Sequence, residues 1–421
     1  MEAGWATLGC MDLNPRGHEK VARLIERGVS IPAPSTIDIG DDVDLSRIAD
    51  RDVIIYPGCR IYGSQTVISA GVRLGAEGPV TVEDCYLGPR VELKGGYLRQ
   101  SVFLEKAGMG LGAHVREGCL LEEEASGAHC VGLKQTILLP FVTLGSLINF
   151  CDCLMAGGTS RENHSEVGSS YIHFNYTPDG DKCTPSLFGD VPRGVMLDQR
   201  PIFLGGQGGA AGPVRVAFGT VVVAGCILRE DILDDGRLVV VGAHREAKRR
   251  YIPWTYGNLA RLMRNNVVYL ANLVALEQWY RAVRQPFFAR QELGGLVYEG
   301  ALAMLAGAKQ ERLKWLRAMA AKVPASHRCS GEVSENLDAL AEIFTTHAEH
   351  DAGPLPDAGD AFLAAFWQAA GRDTSYIAAI KGLTPALSGQ GVQWLDEIVD
   401  SLCTRADALF PSLSLCAPGK R

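Results

Sequence analysis

The chain has 421 residues, 47% of them apolar and 21% charged, with a formal net charge of −7. That is enough apolar matter for one large core or two ordinary ones, and it excludes a disordered or fibrous chain. Mild acidity without a basic block argues against a nucleic-acid partner held by phosphate neutralisation.

No run approaches the roughly 20 apolar residues of a membrane-spanning helix. The N-terminal MEAGWATLGCMDLNPRGHEK has no basic start followed by an apolar run. No membrane partner is expected, and a cytoplasmic location is. The 12 cysteines include no CxxC pair and are expected to be reduced, small, buried apolar residues.

Taken in chain order, a short helix near 15–28, after Pro15, caps an open end within residues 1–36. Residues 37–245 hold 31 of the 48 glycines, about one in seven, whereas 246–421 hold 13. All six tryptophans (Trp5, Trp254, Trp279, Trp315, Trp367 and Trp394) lie outside the glycine-rich stretch. Within it an apolar residue, a glycine, a few polar residues and another apolar residue recur. Ile39-Gly40 to Val43, Leu87-Gly88 to Val91, Leu111-Gly112 to Val115 and Leu144-Gly145 to Leu147 are examples, with Phe188-Gly189 and Phe218-Gly219 later. Gly40 and Gly58 lie a whole number of hexapeptides apart, and so do Gly88 and Gly112.

That period fits a left-handed parallel β-helix of hexapeptide repeats, with the apolar residue inward and glycine at corners needing positive φ. A β-sandwich with glycine turns is the alternative. From 246 the period is helical: Leu259, Leu262, Leu270, Leu273, Val274 and Leu276 share a face. Further helices are expected over 293–322, 334–349, 358–371 and 391–409, with Asp351–Asp357 a loop. The expected organisation is thus a cap (1–36), a β-helix (37–245) and an all-α domain (246–421).

The segment Gly168 to Val191, GSSYIHFNYTPDGDKCTPSLFGDV, carries a resemblance. It is similar to the Asn-Tyr-Asp-Gly motif of the acetyltransferase domain of the bacterial bifunctional N-acetylglucosamine-1-phosphate uridyltransferases. Asn175 and Tyr176 match the Asn-Tyr, Lys182 falls one position late against the family lysine, and Phe188-Gly189-Asp190 matches the Gly-Asp step. The whole chain also resembles hexapeptide-repeat proteins grouped with UDP-N-acetylglucosamine pyrophosphorylase. The resemblance implies a homotrimer, acetyl-coenzyme A or another acyl-coenzyme A as co-substrate, and a sugar or nucleotide-sugar acceptor. Uridylyl transfer is not expected, because no GxGTR-like sequence occurs and the solenoid begins by residue 37. The family's catalytic histidine falls near Asn149–Asp152, where this sequence has none.

Acyl transfer needs a base, and a histidine near neutral pKa suits it. His164 and His173 are the candidates. Asn175, Tyr176 and Lys182 are expected beside the acceptor, and Arg161 and Arg193 to clamp phosphates. The run of Gly205, Gly206, Gly208 and Gly209, followed by Arg215, reads as a flexible loop whose amides cradle a phosphate or pantetheine arm. Each of these residues also has a purely structural reading. Two other functions stay open: a non-catalytic sugar-nucleotide-binding scaffold, and a zinc hydratase using His129, His164 and Cys151 or Cys153. No metal is expected under the favoured reading.

Overall fold

A computed structural model describes residues 16–173, 182–242, 246–248, 250–254, 256, 258–345, 357–371 and 374–415. Asn175 and Tyr176 lie outside the described residues, as does 351–356 of the segment expected to be a loop. The architecture is the β-helix rather than the sandwich: a parallel solenoid of about 11 turns with an N-terminal helix and a C-terminal helical region.

Each coil has three flat faces. Face one runs from Asp38–Ile39 through Arg60–Tyr62, Val80–Glu83, Gly96–Arg99 and Ala113–Val115 to Ser170–Ile172, Gly208–Ala210 and Ile227–Leu228. Face two runs from Val67–Ile68 through Ser101–Phe103 and Cys119–Leu121 to Ser186–Phe188 and Arg215–Val216. Face three runs from Ile54–Ile55 to Leu238–Val239. Two long strands, Val131–Leu138 and Ile148–Met155, pass unbroken from face one to face two.

The corners depart from the expected glycine rule. The corner between faces two and three carries Asp52, Gly71, Arg90, Lys106, Glu124 and Phe141, all at positive φ and recurring once per coil. At this corner the coil repeat is therefore marked mostly by non-glycine residues, held left-handed by coil-to-coil hydrogen bonds such as Lys106 N–H to the Pro89 carbonyl (2.9 Å). Gly40 and Gly88 are not among the left-handed residues. At Gly88 a side chain would meet the Phe103 carbonyl of the next coil at 3.0 Å, so close stacking selects glycine there.

Helix α1 (His18–Glu26) buries Val21 and Leu24 against the first coil. After the short α2 (Val191–Gly194) come α3 (Leu259–Trp279), a π turn (Tyr280–Arg284), α4 (Gln285–Phe288), α5 (Gly294–Ala320), α6 (Ser330–Thr345), α7 (Asp357–Ala369), α8 (Tyr376–Lys381) and α9 (Pro385–Leu409). α8 was not anticipated, and α9 starts earlier than expected because Thr384 caps it with Pro385 at its first position.

These helices cover face two. On the other faces burial alternates along most strands, but Ser101–Phe103, Cys119–Leu121, Cys153–Met155 and Ser186–Phe188 are buried on both sides. α5 crosses this face so closely that a side chain at Gly300 would meet the Tyr86 ring at 2.5 Å. α3 is pinned by buried asparagines. Asn265 donates to the Pro213 carbonyl (3.2 Å), Asn266 to the Cys183 carbonyl (3.3 Å), and Asn272 accepts from Val191 N–H (2.8 Å). No helix among the described residues is long and apolar enough to cross a membrane. Of the ten described cysteines, Cys130 alone is exposed.

Candidate functional site

Register on face one places outward residues in two rows. One row reads Tyr97, His114, Gly132, Asn149 and Tyr171; the next, toward the face-two corner, reads Arg99, Arg116, Lys134, Cys151 and His173. Coils stack about 4.8 Å apart, so the backbones at His114 and Asn149 stand about 10 Å from each other across Gly132, with the Asn149 side-chain oxygen reaching to within 3.4 Å of where a Gly132 side chain would begin. His114 is exposed and tilted against Tyr97, with ring centroids 5.6 Å apart. Arg99 and Lys134 are steadied by Glu83 (3.7 Å) and Glu117 (2.8 Å). The result is a shallow notch with a histidine on one side and a basic row along its edge.

Beyond that row lies the corner at which the chain leaves face one after Ile172 and rejoins face two at Ser186. His173 Nε2 lies 2.6 Å from Ser186 Oγ, which also accepts from Val214 N–H (2.9 Å). Burial, and secondarily the facing Arg312 guanidinium, lower its pKa to about 3, so the ring is neutral at physiological pH. Arg312 itself is 2% exposed; it bonds Asp152 (2.6 Å) and reaches the Lys182 carbonyl (3.5 Å). Lys182 sits over the Trp315 ring of α5 at 4.9 Å, and the Cys183 thiol donates to the Trp315 carbonyl (3.0 Å). The Lys182–Cys183 step is thus anchored on the helical domain.

The other candidates are scattered. His164 and Arg161 lie on the hairpin of Gly158–Ser160 and Asn163–His164, which interrupts the corner between faces two and three. Arg161 donates to the Glu124 and Phe141 carbonyls (2.8 and 3.0 Å) and to Thr143 Oγ1 (2.9 Å), tying the hairpin to the coils. His164 Nδ1–H donates to the Arg161 carbonyl (2.6 Å). His164 and His173 therefore stand at different corners and do not share one edge. His129, paired with Ser146 (2.7 Å), occupies the third corner, so the histidines of the zinc alternative are not gathered; among the described residues no group of three metal-ligating side chains occurs.

The glycine run is no flexible loop. Gly205 and Gly206 turn a corner and Gly208–Ala210 is a face-one strand. A side chain at Gly208 would meet the Cys226 carbonyl at 2.7 Å and one at Gly205 the Ala224 backbone nitrogen closer still, so close coil stacking selects glycine at these two positions. Arg193 and Arg215 do come together, lining a cavity of about 380 Å³ between face two and helices α3 and α9. Arg193 is bound there to Asp190 and Asp235 (2.7 Å each).

Sequence reasoning missed His114, Arg116 and Lys134. Their signal was the coil register linking positions 97, 114, 132 and 149, which glycine spacing does not reveal.

No family model matches the chain. It is 27% identical over 217 residues to the bifunctional protein GlmU of Thermotoga maritima, covering 51% of this chain and 42% of that protein. It is 27% identical over 214 residues to the GlmU of Trichlorobacter lovleyi, covering 51% and 41%. The GlmU of Carboxydothermus hydrogenoformans is 24% identical over 233 residues, covering 55% and 46%. The chain thus spans less than half the length of these curated relatives. With the solenoid, these matches make it similar to a hexapeptide-repeat acetyltransferase domain of the GlmU kind.

Proposed function

We propose that the chain is an acyltransferase of the hexapeptide-repeat class, moving an acyl group from acyl-coenzyme A to a sugar or nucleotide-sugar at the face-one notch. The observation that carries this reading is the notch itself, set in a solenoid similar to GlmU: an exposed His114 one coil from Gly132, over which the Asn149 amide leans, beside Arg116 and Lys134. His114 is suited to take the acceptor proton. Arg116 and Lys134 are suited to phosphates of the donor or acceptor. Lys182, at the adjoining corner, would read the acceptor, and the resemblance in sequence assigns Asn175 and Tyr176 to the same task. His173, neutral and bonded to Ser186, suits positioning better than proton abstraction.

Release of free coenzyme A from acetyl-coenzyme A, over a panel of amino sugars, sugar phosphates and UDP-sugars, tests the reading. Turnover lost in His114→Ala and retained in His164→Ala supports it; no consumption with any acceptor refutes it. A second reading, binding without turnover, draws on the absence of a histidine at Asn149–Asp152. UDP-sugar binding without coenzyme A release would select it. UDP-N-acetylglucosamine formation from UTP and the sugar phosphate is expected to be absent, and turnover above a heat-killed control would contradict that.

Assembly as a trimer in the cytoplasm completes the proposal. On face three Phe203, Val221 and Leu238 are in register, outward and exposed, the last at 70%. An exposed apolar stripe of this kind suits a second copy of the chain. Leu238→Asp with Val221→Asp is expected to give monomers by light scattering, whereas a wild-type monomer at micromolar concentration would rule the trimer out.

A further inference from the structure

On the opposite edge of the solenoid from the notch, where α4 and α8 meet the corner between faces two and three, lies a cavity of about 820 Å³. Its floor is unusual for a coil. At the position whose N–H bonds the preceding face of the next coil, neighbouring turns place Leu104 and Leu139, but this turn places Glu122, fully buried. Glu123 follows it, and the guanidinium of Arg284 pairs with both carboxylates. Burying three charges costs several kcal/mol per ion before pairing, and leucine at the same position in adjacent coils shows that the fold does not require it.

Four buried polar atoms of this floor lack a hydrogen-bond partner; Glu122 Oε2 and Arg284 Nη1 face each other as an ion pair (2.9 Å), which leaves Glu123 Oε2 and Arg284 Nε. Both residues line the cavity and are more than nine-tenths buried. Phe287, Phe288 and Tyr376 supply aromatic wall. The rim carries the exposed Arg90, Lys106, Arg290 and Lys381, so that with Arg284 five cations face four carboxylates, Glu105, Glu122, Glu123 and Glu124. Arg90 and Lys106 are engaged with Glu105 and Glu124 (the latter at 3.5 Å), and Arg290 donates to the Thr374 carbonyl (3.3 Å).

We propose that this cavity is a binding site for a nucleoside phosphate, separate from the notch. The base lies against the aromatic wall and gives an N–H to Glu123 Oε2, while the phosphate meets the cationic rim. A buried lone acceptor selects a ligand with a donor, because leaving it unmet costs the full desolvation of that oxygen. The cationic excess selects an anion, and the volume accommodates a mononucleotide.

Calorimetric titration of the full chain with GMP, guanosine and inorganic phosphate tests this. GMP is expected to bind at least ten-fold more tightly than either fragment. The double variant Arg290→Glu, Lys381→Glu is expected to weaken GMP at least ten-fold, and Ala378→Trp, at the mouth, to block it; His114→Ala leaves it unchanged. No GMP binding up to millimolar concentration overturns the proposal. So does inorganic phosphate binding as tightly as GMP, or GMP affinity surviving both rim and mouth variants with unchanged melting temperature. Because none of these readouts involves coenzyme A, failure of the transferase reading leaves the result interpretable, and the converse holds.

Discussion

Arg284→Met is expected to destabilise the chain by ~3–5 kcal/mol, because it strands two buried carboxylates without their counter-ion. Arg284 is 1% exposed, packs its guanidinium 4.0 Å from the Tyr376 ring centroid, and joins the π turn after α3 to the solenoid through Glu122 and Glu123. Denaturant unfolding measures the loss. Glu122→Leu, which copies Leu104 and Leu139 of adjacent coils, is expected to cost far less, since Arg284 keeps Glu123 as partner.

The same pair predicts a pH dependence. Burial, opposed by Arg284 and reinforced by Glu123, raises the Glu122 pKa from 4.5 to about 7. Between those values the folded chain holds a proton that the unfolded chain releases, so this contribution to stability is full below pH 4.5 and declines as pH rises to 7. Removing the carboxyl in Glu122→Leu should flatten that slope. An unchanged slope would contradict the assignment.

The second large effect is expected at Arg312→Leu. This side chain bonds Asp152 at the solenoid corner and the Lys182 carbonyl, and its charge faces His173. Its loss leaves Asp152 without that partner, loosens the segment bearing Lys182 from α5, and raises the His173 pKa by removing a repelling cation. Acceptor binding is expected to fall by at least ten-fold, with NMR titration of His173 moving toward the ordinary imidazole range. A variant with wild-type affinity and an unmoved His173 titration would separate this corner from the site.

The solenoid and helical region were legible because their periodicities differ and glycine and tryptophan segregate between them. The coil register was not, because positive φ at the corners is held by residues such as Arg90, Lys106 and Glu124 as often as by glycine. The docking of the helical region left a readable trace: adjacent apolar pairs such as Val102-Phe103 and Leu120-Leu121, where a one-sided strand would alternate. The site was only partly legible. Arg161 looked like a phosphate clamp, yet its donors serve backbone carbonyls, which no sequence pattern announces. His114 drew no notice because its neighbours on face one, Tyr97 and Gly132, are each a whole coil away along the chain.

Hydrogen–deuterium exchange of the full chain, with and without UDP-N-acetylglucosamine and acetyl-coenzyme A together, tests the location of the site most directly. The expected result is added protection in the face-one strands at 113–116, 131–135 and 148–152 and in the corner segment around Lys182, with the hairpin bearing His164 unaffected. Protection confined to that hairpin and the glycine run at 205–209, with face one unchanged, would contradict it.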